Sequence, residues 1–321
     1  MSIRRRNYSS LYTIKDKKQL FLTVQHLLKN DLFFLCRYGL NYKDMETHTS
    51  IHYGLCDRLE SPDFNRLAVM MFRGSLKTSI LIAWALQEII KNPDKQFGFG
   101  SETEDRAKER FSQVKLILET NKLFYYFFPK VFYKEPRSES PRWNEYEMYC
   151  KLPSDSVGGF RLPTFSLFGL DPLPVGSHYD IAWLDDVEHE ANTTTADTVA
   201  KLTSRMSGFM PTLKTGAKVV LTGTYYHPSG PNVFYSNRWP LYRIPILDKY
   251  GNPTFPNLKP LKECHRIQRE DVDEWGWQTQ FMLNVQLRMD EYAYPFKNKL
   301  LQPAYIVQGR YDQYHELLNT Y

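Results

Sequence analysis

Residues 67–79 read LAVMMFRGSLKTS, an apolar run that breaks into a short turn and ends in Lys77-Thr78-Ser79. Residues 181–188 read IAWLDDVE, a second apolar run closed by Asp185 and Asp186, with Glu188 two positions on. A strand that delivers a lysine and hydroxyls, set beside a strand that delivers carboxylates, is the minimum kit for holding a magnesium nucleotide. Backbone N–H groups and the lysine neutralise phosphates, a Thr or Ser hydroxyl and one Asp hold Mg²⁺, and a further carboxylate orients an attacking water.

The phosphate loop is irregular. The usual G-x-x-x-x-G-K-[ST] pattern would place glycine at 71 and 76, where this chain has Met71 and Leu76. Only Gly74 supplies backbone freedom, and Arg73 adds a planar cation suited to a phosphate or a neighbouring acid. Placement supports the motif, because it follows an apolar strand and opens a helix whose N-terminus would face phosphates. Adjacent carboxylates at a buried strand end repel and desolvate one another, so Asp185-Asp186 points to chemistry more than to packing. A third strand, AKVVLTGT at 217–224, ends in Thr222-Gly223-Thr224, small hydroxyl residues able to sense a phosphate or its bound water.

Bulk properties bound the rest. At 321 residues, 42% of them hydrophobic, the chain can bury one large α/β domain or two smaller ones. Forty-one Lys and Arg against 36 Asp and Glu give a charge of +5, which permits a polyanionic partner without demanding one. Cys36, Cys56, Cys150 and Cys264 are widely spaced with no C-x-x-C, so they read as reduced thiols of a cytoplasmic protein. His48 and His52 stand four apart without the zinc-protease glutamate, which leaves them as ordinary core or surface histidines. Arg4, Arg5 and Arg6 precede no apolar stretch, and no run reaches the ~18 residues of a membrane span, so no membrane association is expected.

Short apolar strands alternating with helices predict a mainly parallel sheet with helices on both faces. Strands are predicted at 67–72, 96–101, within 160–170, at 181–184 and at 217–224, and helices at ILIAWALQEIIKNP, at 101–121 and at 194–210. The expected organisation is a helical segment over 1–60, an ATPase-like core over 61–235, a peripheral subdomain over 236–300 with a helix at 270–284, and a linker tail over 301–321.

Taken in order, these motifs resemble the ATPase domain of the tailed-bacteriophage terminase large subunit, the DNA-packaging motor. In that family the phosphate loop often drops its second glycine and carries an arginine four positions before the lysine, as Arg73 stands to Lys77. The stretch FGFGSETEDRAKERFSQVKLILETN, the acidic WLDDVE, the TGT and the tail DKYGNPTFP…EWGWQTQFMLNVQ extend the likeness over roughly 45–300. The resemblance implies an ASCE-type P-loop α/β fold, with ATP and Mg²⁺ bound through Arg73, Gly74, Ser75, Lys77, Thr78 and Ser79. It further implies Thr78 and Asp185 on the metal, Asp186 or Glu188 orienting water, and Thr222–Thr224 as coupling residues. Partners implied are double-stranded DNA, a portal protein, the small terminase subunit and copies of the chain in a ring, at the procapsid portal vertex in the host cytoplasm.

Two departures stand out. Where the family often carries an arginine acting on a neighbouring subunit, this chain reads GSHYD with His178, leaving Arg161, Arg142, Arg137 and Arg205 as candidates. After Tyr294-Pro295-Phe296 only a short tail remains, without room for the family's RNase H-like nuclease: either this is an isolated motor domain or the sequence stops before the nuclease, and no nuclease activity is expected from this chain. Rival readings are a helicase-like ATPase and a non-hydrolysing module that docks portal or DNA.

Overall fold

The computed structural model describes residues 8–46, 49–151, 162–170 and 178–285. Seven strands form one sheet: β1 (Arg66–Met71), β2 (Phe97–Ser101), β3 (Glu147–Met148), β4 (Phe165–Gly169), β5 (Ile181–Asp185), β6 (Lys218–Gly223) and β7 (Leu241–Ile244). Their order is β3-β4-β2-β5-β6-β1-β7, and every neighbouring pair is parallel except β3 with β4. The fold is the α/β class expected. One strand, β6, separates β1, whose following loop leads to Lys77, from the acid-bearing β5, as an ASCE-type order would have it.

The apolar runs are continuous because the central strands are covered on both faces. Side chains alternate across β1: Leu67, Val69 and Met71 enter one core, while Ala68 and Met70 enter the other. On the first face lie the helices α1 (Lys17–Asn30), α2 (Leu32–Phe34), α3 (Thr49–Glu60), α4 (Lys77–Lys91) and α5 (Glu104–Thr120). After the short α6 (Lys122–Phe127) and α7 (Pro136–Glu139), the second face is covered by α8 (Ala196–Phe209), through Leu202, Met206 and Phe209. Trp84 of α4 meets Phe97 of β2 edge to face at 5.6 Å. Gly98 keeps β2 open to the Tyr179 ring, since a Cβ there would lie 2.6 Å from it.

Three boundaries differ from the sequence reading. β7 falls within the stretch expected to be peripheral, yet it pairs with β1 from Ala68↔Leu241 to Met71↔Ile244, so the sheet runs on to Ile244. Beyond α9 (Pro231–Ser236) and α10 (Leu261–Arg266), the helix expected over 270–284 shrinks to α11 (Glu274–Gly276) and a π-turn over Trp277–Phe281. Val272 is extended at φ −138°, and the Asp273 side chain accepts from Gly276 N–H, so the helix can start only after Asp273. The segment after β7 also joins the main core: Phe255, Cys264, Ile267, Trp277 and Phe281 bury into the cluster that holds α4. The expected tail over 301–321 lies outside the described residues.

Candidate nucleotide site

The loop between β1 and α4 turns at Arg73 and Gly74, and Gly74 has φ +83°. Leu76 sits at φ 65°, ψ 13°, left-handed like the glycine that the usual motif would place there. A Cβ in that region costs about 1–2 kcal/mol, so the loop keeps the glycine's shape without its ease. Partly buried Leu76 offsets some of that cost by packing its side chain on the core.

This backbone leaves donors facing the loop. No side chain caps the first turn of α4, so its leading N–H groups have no side-chain acceptor. Ser75 is 1% exposed and its Oγ has no hydrogen-bond partner, while its carbonyl oxygen lies 3.1 Å from His52 Nε2. His52, fully buried in α3, meets Phe255 edge to face at 5.0 Å and so braces the loop from beneath. Of the two placements the sequence left open, core or surface, it takes the core. An orphaned hydroxyl, uncapped helix N–H groups and a lysine at one spot fit phosphate oxygens.

Lys77 is buried, and its Nζ lies 3.7 Å from Asp186 Oδ1. Asp186 is held by an N–H bond to Thr222 O at 3.0 Å and adopts φ +45°, a turn that an aspartate tolerates. Its side chain remains about two-fifths exposed. Asp185 is sealed instead. Its Oδ1 accepts from the Thr222 hydroxyl, its Oδ2 lies 3.8 Å from Arg110 Nε, and its carbonyl accepts from Ser101 Oγ at 3.0 Å. Burial first, then the Asp186 charge, push its carboxyl up to about 7 against the pull of Lys77, the Thr222 hydroxyl and Arg110. Thr222 also accepts from Trp183 Nε1 at 2.9 Å, so one hydroxyl ties β6 to β5 twice.

Glu188 faces elsewhere. It is buried, with one oxygen accepting from Tyr226 N–H at 3.2 Å and the other from Asn232 N–H. Burial pushes its carboxyl up to about 8, although both N–H groups pull the other way. Gly230 makes room for it, since a Cβ there would lie 2.5 Å from Glu188 Oε1. Asn232 bonds Thr224 O at 2.7 Å and lies close over Gly223, so Thr222, Gly223 and Thr224 are all engaged at the end of β6. Thr78 and Ser79 are partly buried in the first turn of α4.

Of the candidate trans arginines, Arg137 pairs with Glu119 at 2.8 Å, near the far end of α5 from the acidic strand. Arg142 pairs with Glu147 of β3 at 2.7 Å. Arg205 is partly buried on α8, and Arg161 lies outside the described residues. None of the three described ones has an ion pair or hydrogen bond with Asp185, Asp186 or Lys77 among the contacts above. The cation that reaches Asp185 is Arg110, which sequence reasoning missed. Its signal was only a register: Arg106 and Arg110 lie four apart and so share one face of α5. Tyr226 was missed as well. Its phenolic oxygen accepts from Arg73 at 3.0 Å, and its ring meets Trp275 at 5.9 Å.

Among the described residues no group of three or more His, Cys, Asp and Glu could hold a metal ion by itself.

No family model matches the chain, and no curated protein matches it. Among solved structures it is similar to the Thermus phage P74-26 large terminase ATPase domain, at 15% identity and a TM-score of 0.46, over 80% of this chain and 99% of that one. An arginine-to-alanine mutant of the same domain gives the same values. It is also similar to the large terminase of a thermophilic bacteriophage, solved in complex with ADP, at 12% identity and a TM-score of 0.44, over 75% of this chain and 52% of that one.

Proposed function

We propose that this chain is an ATPase that drives double-stranded DNA into a viral procapsid. The observation that carries the ATPase reading is the Lys77–Asp186 pair at 3.7 Å. It stands at the carboxyl ends of parallel strands, beside the orphaned Ser75 hydroxyl. In this reading Ser75, Lys77 and Arg73 hold phosphates, with Gly74 and Ser79 shaping the loop and the helix start. Thr78 and Asp185 would hold Mg²⁺, which would neutralise charge on the phosphate oxygens. Asp186, partly exposed and next to Lys77, orients the water. Glu188 anchors the loop after β6, because both of its oxygens already accept backbone N–H groups. Thr222 carries the state of the acidic strand into β6.

The packaging role rests on the order and spacing of the motifs in the sequence. With it come the other partners of the reading: portal protein, small terminase subunit and a homo-oligomeric ring at the portal vertex, in which an arginine of one subunit serves the next. The left-handed Leu76 speaks against a module that has lost its phosphate loop, since the backbone keeps the turn that glycine would give.

The test is phosphate release from MgATP by the wild type and by Lys77→Ala, each with and without double-stranded DNA. Turnover in the wild type that DNA stimulates and Lys77→Ala abolishes is the expected result. Equal rates in the two proteins would remove the site, and DNA-independent turnover would leave an ATPase without the motor.

A further inference from the structure

Lys259, just before α10, lies against the phosphate loop from outside the core. Its Cε is 3.8 Å from where a Cβ on Gly74 would stand. The lysine is about three-quarters buried and held in place, since its own N–H bonds Phe255 O at 2.7 Å and Phe255 packs on His52 under the loop. Its anionic neighbour, Glu263, is 3.9 Å away and already taken: Arg266 holds both Glu263 oxygens at 2.9 Å. Arg266 also pairs with both oxygens of Asp271. A carboxylate satisfied by a bidentate guanidinium has little left for a second cation at long range.

Three cations from three parts of the chain therefore surround one turn: Arg73 within it, Lys77 at the helix start and Lys259 from the segment after β7. The carboxylate that meets them is Asp186, on Lys77, and its charge does not match all three. Positive charges gathered at one turn attract a further anion. We propose that Lys259 is a phosphate-binding residue of the nucleotide site. This rests on the nucleotide reading above and deepens it. The lysine would also make the segment 245–285 part of the site, so that phosphate occupancy bears on how firmly that segment is held.

The test is ATP binding to the purified chain, by calorimetry with MgATP, for the wild type, Lys259→Met, Lys259→Arg and Lys262→Met. Lys262 is an exposed lysine three residues on and serves as the control for general charge. Loss of one charge-assisted contact should weaken binding about tenfold or more in Lys259→Met. Lys259→Arg should recover most of that loss, and Lys262→Met should bind as the wild type does. Melting temperature without nucleotide should match the wild type in Lys259→Met, while the rise on adding MgATP shrinks. A wild-type affinity in Lys259→Met overturns the proposal and leaves the phosphate loop standing. A wild-type chain that binds no MgATP overturns the nucleotide reading and this role with it.

Discussion

The phenolic oxygen of Tyr226 accepts a hydrogen bond from Arg73, 3.0 Å away, joining the phosphate loop to the chain that leaves β6. Tyr226 N–H in turn bonds Glu188, and its ring meets Trp275, so one residue links the loop, the acidic motif and the segment after β7. A guanidinium presents a planar fork that an ammonium does not copy. Arg73→Lys is therefore expected to lower the rate of ATP hydrolysis nearly as far as Arg73→Ala, by tenfold or more, with folding intact by circular dichroism. A near wild-type rate for Arg73→Lys would reduce this residue to a charge.

Asp186 and Glu188 should separate by assay type. Asp186→Asn is expected to keep MgATP binding and lose hydrolysis by about 10²–10⁴, the usual worth of a positioned proton acceptor. Above about pH 8, where Glu188 is ionised, Glu188→Gln turns one of two acceptors into a donor facing a backbone N–H, at about 1–3 kcal/mol of stability. Urea melts and single-turnover hydrolysis, run on both variants, check the pair. A stable Glu188→Gln that binds ATP without hydrolysing it would reverse the two roles.

Glu188 also sets a pH dependence. Its folded-state carboxyl is raised from the usual 4.5 to about 8, so between those values the folded protein holds a proton that the unfolded chain has released. The contribution is full below about 4.5 and is lost as pH rises through about 8. Wild-type stability should therefore decline across that window more steeply than that of Glu188→Gln, measured by urea melts of the nucleotide-free protein. Parallel pH profiles would show that Glu188 is ionised throughout.

Leu76 gives a test that inverts a familiar order. Ala usually outranks Gly in stability, by about 0.5–1 kcal/mol. At position 76 both replacements lose the leucine's packing, but only Gly escapes the left-handed penalty. Leu76→Gly should therefore be more stable than Leu76→Ala by about 1 kcal/mol in chemical denaturation. The opposite order would mean that the loop relaxes once the leucine is trimmed.

The sheet was legible because parallel strands buried on both faces write themselves as unbroken apolar runs, as LAVMM and IAWL do. β7 was not, since its LYRI is short and alternates exposed with partly buried residues at the sheet edge, without an unbroken apolar run. In the site, Lys77 and Asp185-Asp186 stood out because charge at the end of an apolar strand is conspicuous. Arg110 and Tyr226 did not, because each meets the site through tertiary contact across tens of residues: Arg110 to Asp185 from α5, Tyr226 to Arg73 from beyond β6. Glu188 was grouped with its neighbours by proximity in sequence. The backbone turn at Asp186, with φ +45°, sends the chain away from the site before Glu188 is reached.

The contact between Lys77 and Asp186 makes the loop its own counter-ion reservoir. Without a ligand, the carboxylate shields the lysine, so the empty site carries less bare charge than its residue list suggests. On the proposed reading, an arriving phosphate would compete with that carboxylate for the ammonium, and loading would be an exchange of anions as well as an addition of one. Asp186, already about two-fifths exposed, would then be free to turn toward solvent. Filling the site and releasing its water-orienting carboxylate would be a single event.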